Sequence, residues 1–94
     1  MVDIYQHSGN AGERFVPVRT GLDHLGLAAE THDDLVAWAR WLDARGVERS
    51  EIRDVVVGEI FDFMDPDGIQ LEFFFMDQDR LKQSALHTAL NRAE

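Results

Sequence analysis

Between Asp65 and Met76 the chain reads Asp-Pro-Asp-Gly-Ile-Gln-Leu-Glu-Phe-Phe-Phe-Met, and no other stretch constrains the fold as much. Aspartate, proline, aspartate and glycine in that order are turn chemistry, because proline presets φ and glycine accepts a positive one. The segment Ile69–Met76 that follows is apolar enough to be a strand. With a side-chain period of two, Gln70, Glu72 and Phe74 share one face, and Leu71, Phe73 and Phe75 share the other. The second face is uniformly apolar and needs a cover. The first carries a carboxylate beside a phenyl ring, which is costly unless that carboxylate is paired, metal-bound or open to water.

The cover is supplied by the best helix pattern in the chain. Thr31 is suited to be its N-cap, with Asp34 three residues later in a capping-box-like position. Asp33 and Asp34 favour the positive end of the helix dipole. Leu35, Trp38, Ala39 and Leu42 then form one apolar stripe, and Gly46 ends the helix. Gly21–Ala28 reads as a strand with His24, Gly26 and Ala28 on one face and Asp23, Leu25 and Leu27 on the other. Further strands are expected around Glu51–Val56 and Glu59–Met64. A C-terminal helix is expected over Asp77–Glu94, with Leu81, Ala85, Leu86 and Leu90 on one side.

Ahead of these elements, Val2–His7 reads as a short strand, and Ser8–Thr20 as a long loop with Gly9, Asn10, Gly12 and Pro17. The expected organisation is therefore a strand and linker over 1–20, a βαβββ module over 21–76 and a helix over 77–94. The linker suits a boundary between two structural units, with the first almost absent from this chain. The class is α+β, with a mixed sheet backed by the Thr31 helix.

The chain's 94 residues make one domain at most. A domain this small buries a modest share of its surface, so a partner subunit is a natural source of further stability. Nine basic residues against eighteen acidic ones give a net charge of −9. That balance argues against nucleic acid and anionic membranes as partners and is compatible with binding a cation. With no cysteine, disulfides, thiolate metal sites and thiol nucleophiles are excluded, and a reducing cytoplasm suits the chain. The first residues lack the apolar core of a signal peptide, and the longest apolar run, Phe73–Met76, is far too short to span a membrane.

The residues that can carry chemistry are His24 and Glu72. Each alone is better explained by a structural role: a histidine satisfied by a local hydrogen bond, or a glutamate on a partly wet sheet face. Together they say more. If the first and last strands of the module are neighbours, both side chains leave the same face, and a nitrogen with a carboxylate makes half of a typical Zn, Fe, Mn or Ni site. Tyr5 and His7 on the N-terminal strand are weaker candidates. His32 near a helix start and His87 on the last helix are expected to face solvent. Trp38 and Trp41 suit packing or an interface, and Phe61, Phe63 and Phe74 suit either a core or an apolar pocket.

Gly21-Leu22-Asp23-His24-Leu25 resembles the opening strand of a vicinal-oxygen-chelate module, the unit of the glyoxalase, bleomycin-resistance and extradiol-dioxygenase superfamily. Asp65-Pro66-Asp67-Gly68-Ile69-Gln70-Leu71-Glu72-Phe73 resembles its closing hairpin, and Leu35–Gly46 its helix. The resemblance implies a curved sheet, with His24 and Glu72 as ligands of a divalent metal and Glu72 also able to move a proton. It implies an enzyme, a lyase, isomerase or dioxygenase, acting on a small substrate with two neighbouring oxygens. It also implies a second module to close the cup, hence a homodimer, and Val2–Gly9 is similar to the last strand of a preceding module. The alternatives are a small-molecule binding or resistance protein without chemistry, and a degenerate half-module with an assembly role.

Overall fold

The computed structural model describes the backbone of residues 2–92 and the side chains of residues 2–90. The elements follow in the order β1 (His24–Ala29), α1 (His32–Ala44), β2 (Arg53–Val55), β3 (Gly58–Met64), β4 (Gln70–Met76) and α2 (Gln78–Arg92). The four strands form one curved mixed sheet in the order β1-β4-β3-β2. β1 runs parallel to β4, while the β4–β3 and β3–β2 pairs are antiparallel. The first and last strands of the module are thus neighbours, as the site reading requires.

Alternation along the strands divides the side chains cleanly. One face presents Leu27, Ala29, Phe61, Phe63, Phe73 and Phe75 to α1, where Leu35, Ala39 and Leu42 are buried. Phe61 and Leu35 are fully buried. Burial of each such side chain contributes about 1.5–3 kcal/mol, so this single layer carries most of the hydrophobic stabilisation of the domain. Trp38 stacks on Phe73 with ring centroids 4.8 Å apart, yet keeps 41% of its surface exposed. It therefore roofs the core at its edge instead of filling it.

Helix α1 begins and ends for the reasons its sequence suggests. Thr31 is in an extended conformation, and its Oγ1 accepts a hydrogen bond from the Asp34 amide at 3.0 Å. Gly46 takes a φ of 70°, which lets Val47 donate back to the Leu42 carbonyl at 3.1 Å and closes the helix. Asp77 caps α2, its Oδ1 accepting from the amides of Asp79 and Arg80. Arg80 also donates to the Gly58 carbonyl at 3.1 Å and to Asp54 at 3.2 Å. Beyond this anchor α2 does not pack substantially on the sheet or on α1.

One expectation is corrected. Val2–His7 forms no strand. A strand requires a ladder partner, and the segment pairs with neither edge strand, β1 nor β2. The segment instead lies outside the sheet, with Ile4 94% exposed. His32 is exposed as expected, and from the first turn of α1 it also donates to Glu59 Oε1 on β3 at 2.6 Å, tying helix to sheet. The linker does have a place in the fold, because Phe15 donates to the Asp67 carbonyl at 2.8 Å and Arg14 to that of Pro66 at 3.3 Å. Among the described residues no helix is long and apolar enough to cross a membrane.

Candidate metal centre

The sheet face away from α1 carries His24 and Gly26 on β1, Gln70, Glu72 and Phe74 on β4, and Ile60, Asp62 and Met64 on β3. Register pairs Gly26 with Glu72, and Glu72 with Asp62. His24 pairs with Gln70, so it is the diagonal neighbour of Glu72 on the same face. Both expected ligands are thereby placed side by side on adjacent strands.

Gly26 shapes the position of Glu72. A Cβ built on this glycine would lie 3.2 Å from Glu72 Oε1 and 3.3 Å from a Phe74 ring carbon. The carboxylate thus lies across the bare glycine, toward the strand that bears His24. Among the described residues the Glu72 carboxylate makes no hydrogen bond or ion pair. Its charge is felt at His24, whose pKa is raised above 6.5. The largest cause there is the hydrogen bond to Asp23, followed by the charges of Asp23, Glu72 and Asp62, with partial desolvation opposing them.

The donor chemistry suits a divalent cation. His24 Nδ1 is held by Asp23 Oδ2 at 2.9 Å, which leaves Nε2 free as a ligand. A carboxylate on the second ring nitrogen is the usual way a ligating imidazole is oriented and made more basic. The chain supplies one such nitrogen and one carboxylate, and among the described residues no group of three candidate ligands gathers. Two donors are half of a four-ligand site, so one chain fits half of a centre.

Asp62 is a residue that sequence reasoning missed. It sits directly opposite Glu72, where a like charge is destabilising unless compensated. Arg53 compensates through a 2.7 Å ion pair to Oδ2 and also donates to Ser50 Oγ at 3.1 Å. Ser50 Oγ in turn accepts from the Asp62 amide at 2.8 Å. The other carboxylate oxygen, Oδ1, is buried without a hydrogen-bond partner. The available signal was the position of Asp62 between Ile60 and Met64 in a strand of period two. Beside Glu72 a shallow cleft of about 270 Å³ is walled by Val55, Ile60 and Phe74.

The weaker candidates lie elsewhere. Tyr5 lines a groove with Leu25, Leu27 and Leu71, on the opposite side of the sheet. His7 is exposed within the arm, and His87 is on the outside of α2. Phe61 and Phe63 belong to the core, whereas Phe74 borders the cleft at Glu72.

Residues 4–73 match the model of the glyoxalase/bleomycin resistance protein/dioxygenase superfamily. The match includes the N-terminal arm as well as β1–β4. No curated protein sequence matches the chain. Among solved structures, a glyoxylase/bleomycin resistance protein/dioxygenase domain from Frankia sp. EAN1pec is 31% identical, with a TM-score of 0.68 over 76% of this chain and 56% of that one. A lactoylglutathione lyase from Agrobacterium tumefaciens shares the fold at 16% identity and a TM-score of 0.54, over 63% of this chain and 48% of that one. So does a genomically encoded fosfomycin resistance protein from Listeria monocytogenes, at 20% identity and a TM-score of 0.53, over 72% and 52%. The chain spans about half the length of each of these proteins.

Proposed function

As the chain belongs to the glyoxalase/bleomycin resistance protein/dioxygenase superfamily, we propose that it is half of a metal-dependent active site that works on a small substrate with two adjacent oxygens. The observation that carries this reading is the placement of His24 and Glu72 on one sheet face, with Asp23 behind the imidazole and Gly26 beneath the carboxylate. His24 and Glu72 are the residues that would hold a divalent ion, with Zn, Fe, Mn and Ni all compatible with such donors. A second module supplies the matching pair. Two histidines and two glutamates then leave a net charge of −2 for the cation to balance.

The bound metal supplies Lewis acidity toward developing negative charge on a substrate oxygen. The protein's own contribution is positional. Asp23 fixes the ring orientation and the tautomer of His24. Val55, Ile60 and Phe74 give the cleft apolar walls that exclude water and hold the carbon skeleton. Glu72, whose carboxylate has no hydrogen-bond or ion-pair partner among the described residues, can accept a proton from an activated C–H within reach. Among the reactions open to this machinery are isomerisation or lyase chemistry, epimerisation and dioxygenation. Similarity to a fosfomycin resistance protein supports a resistance role as the second reading. We place the protein in the cytoplasm as a homodimer, a form in which the open sheet face and Phe74 gain a cover.

Calorimetric titration with Zn, Mn, Ni and Fe(II) tests the reading. Wild type should bind, Glu72→Gln should bind more weakly, and His24→Ala should nearly lose binding. Equal binding by all three proteins, or none by any, overturns it.

A further inference from the structure

The open sheet face does not end at His24. Next to it lies a cleft of about 250 Å³ between residues 14–17 of the linker on one side and Asp23, Met64 and Gln70 on the other. Gln70 is the ladder partner of both His24 and Met64, so the cleft continues the metal face toward the turn at 65–68. Asp23 belongs to both places: it lines the cleft, and its Oδ2 holds His24 Nδ1 at 2.9 Å. The linker is fixed here at two points. The Phe15 amide donates to the Asp67 carbonyl at 2.8 Å, and the Phe15 ring lies 3.3 Å from where a Cβ on Gly21 would stand. This docking lays Arg14 over the bare Gly68, with Nη2 3.1 Å from where a Cβ would stand. The φ of 85° at Gly68 keeps glycine in that place.

Arg14 reaches the cleft as a nearly unused donor. A guanidinium has five N–H groups. One of those on Arg14 meets the Pro66 carbonyl at 3.3 Å, and among the described residues the side chain has no other hydrogen bond and no ion pair. Asp65 is engaged within its own turn, where Oδ1 accepts from the amides of Asp67 and Ile69. The Gln70 carboxamide also has no hydrogen-bond partner among the described residues. The cleft therefore offers a planar guanidinium fork and a carboxamide N–H, a donor set that matches a carboxylate. Asp23, the acidic side chain lining it, is already turned to His24 through Oδ2. A divalent ion on the same imidazole would offset its charge. Resting on the metal reading above, we propose that Arg14 is a specificity-determining residue: it selects substrates that carry a carboxylate on an arm beyond their two chelating oxygens. The arm is short. Gly68 and Gln70 are two residues apart, roughly 7 Å of extended chain. At ~30 Å³ per water the cleft has room for about eight waters, which an arm of a few carbons and a carboxylate would displace.

Two probes test the subsite on the full chain, one without metal and one with it. Glutarate has carboxylates but no neighbouring keto oxygen, and it is titrated into the metal-free protein with NMR as the readout. The Gln70 side-chain amide and the Arg14 Nε–H should shift with a dissociation constant on the order of millimolar. Arg14→Gln should weaken the response of Gln70 about five-fold or more, and Arg14→Lys should retain part of it. The Phe15 amide should stay protected from hydrogen exchange in both variants. Loss of that protection together with glutarate binding would mean that Arg14 only holds the linker, and overturns the assignment. Zinc-loaded wild type should bind 2-oxoglutarate about ten-fold or more tightly than pyruvate, which has the same two neighbouring oxygens without the second carboxylate. Arg14→Gln should erase most of that preference while binding zinc as wild type does. If zinc binds neither protein, the proposed function falls, and the glutarate titration still decides the subsite. No shift at Gln70 in the wild type, an equal shift in Arg14→Gln, or equal binding of the two keto acids by the zinc form overturns the proposal.

Discussion

Replacing Gly26 by alanine separates the site from the fold. Gly26 has no positive φ, so alanine is compatible with its backbone. Removing glycine's freedom in the unfolded chain stabilises the folded state by about 0.4–1 kcal/mol. Against this, the new methyl would stand 3.2 Å from Glu72 Oε1 and 3.3 Å from the Phe74 ring. Both neighbours must give by a few tenths of an ångström. The carboxylate is the end of a flexible side chain, and a turn of ~30° off its rotamer costs about 0.5–1.5 kcal/mol. The two effects nearly cancel, so the urea midpoint should change by less than about 1 kcal/mol equivalent. In the proposed metal complex Glu72 would have no such latitude. The same 0.5–1.5 kcal/mol then comes out of binding, a loss of about 2- to 13-fold in affinity. Calorimetric metal titration alongside urea unfolding reads both quantities. Undiminished metal affinity in a folded Gly26→Ala protein would refute the placement of Glu72 over Gly26 as the source of its ligand geometry.

Other perturbations address separate links. In the metal-free protein the His24 ring should titrate above 6.5 by NMR, and Asp23→Asn should lower that value because the Asp23 hydrogen bond is its main cause. A pKa raised on folding favours the charged imidazole, so its stabilising effect is present below the unfolded-state pKa and fades as pH rises through the folded one. Gly58→Ala should destabilise by about 3 kcal/mol or more in urea, since its Cβ would lie 1.8 Å from the Phe75 carbonyl oxygen on the paired strand. Thr31→Ala should cost about 1 kcal/mol by the same assay, with metal binding intact, because only the cap of α1 is lost.

The parts of the fold legible in the sequence are those with local causes. Thr31, the Leu35–Ala39–Leu42 stripe and Gly46 define α1, and the Asp65–Gly68 turn with the alternation from Gln70 to Phe75 defines β4. Strand ends were less legible: β2 is only Arg53–Val55, and β1 starts at His24. Those limits depend on where a neighbouring ladder begins, which no local pattern encodes. Val2–His7 shows the same rule in reverse, since its alternation is compatible with a strand but no edge pairs with it. The His24 and Glu72 faces followed from period-two counting, and their adjacency from the family resemblance. The partners that tune the face were hidden because they are long-range. Asp62 meets Glu72 only through register, Arg53 meets Asp62 across the β2–β3 pair, and His32 meets Glu59 across the helix–sheet interface.

X-ray absorption at the zinc edge of metal-loaded protein most directly tests whether His24 and Glu72 hold a metal. The spectrum should show nitrogen or oxygen neighbours at roughly 2.0–2.2 Å. Imidazole scattering should accompany them and disappear in His24→Ala. An imidazole signal that survives in His24→Ala, or a first shell without imidazole in the wild type, would contradict the assignment.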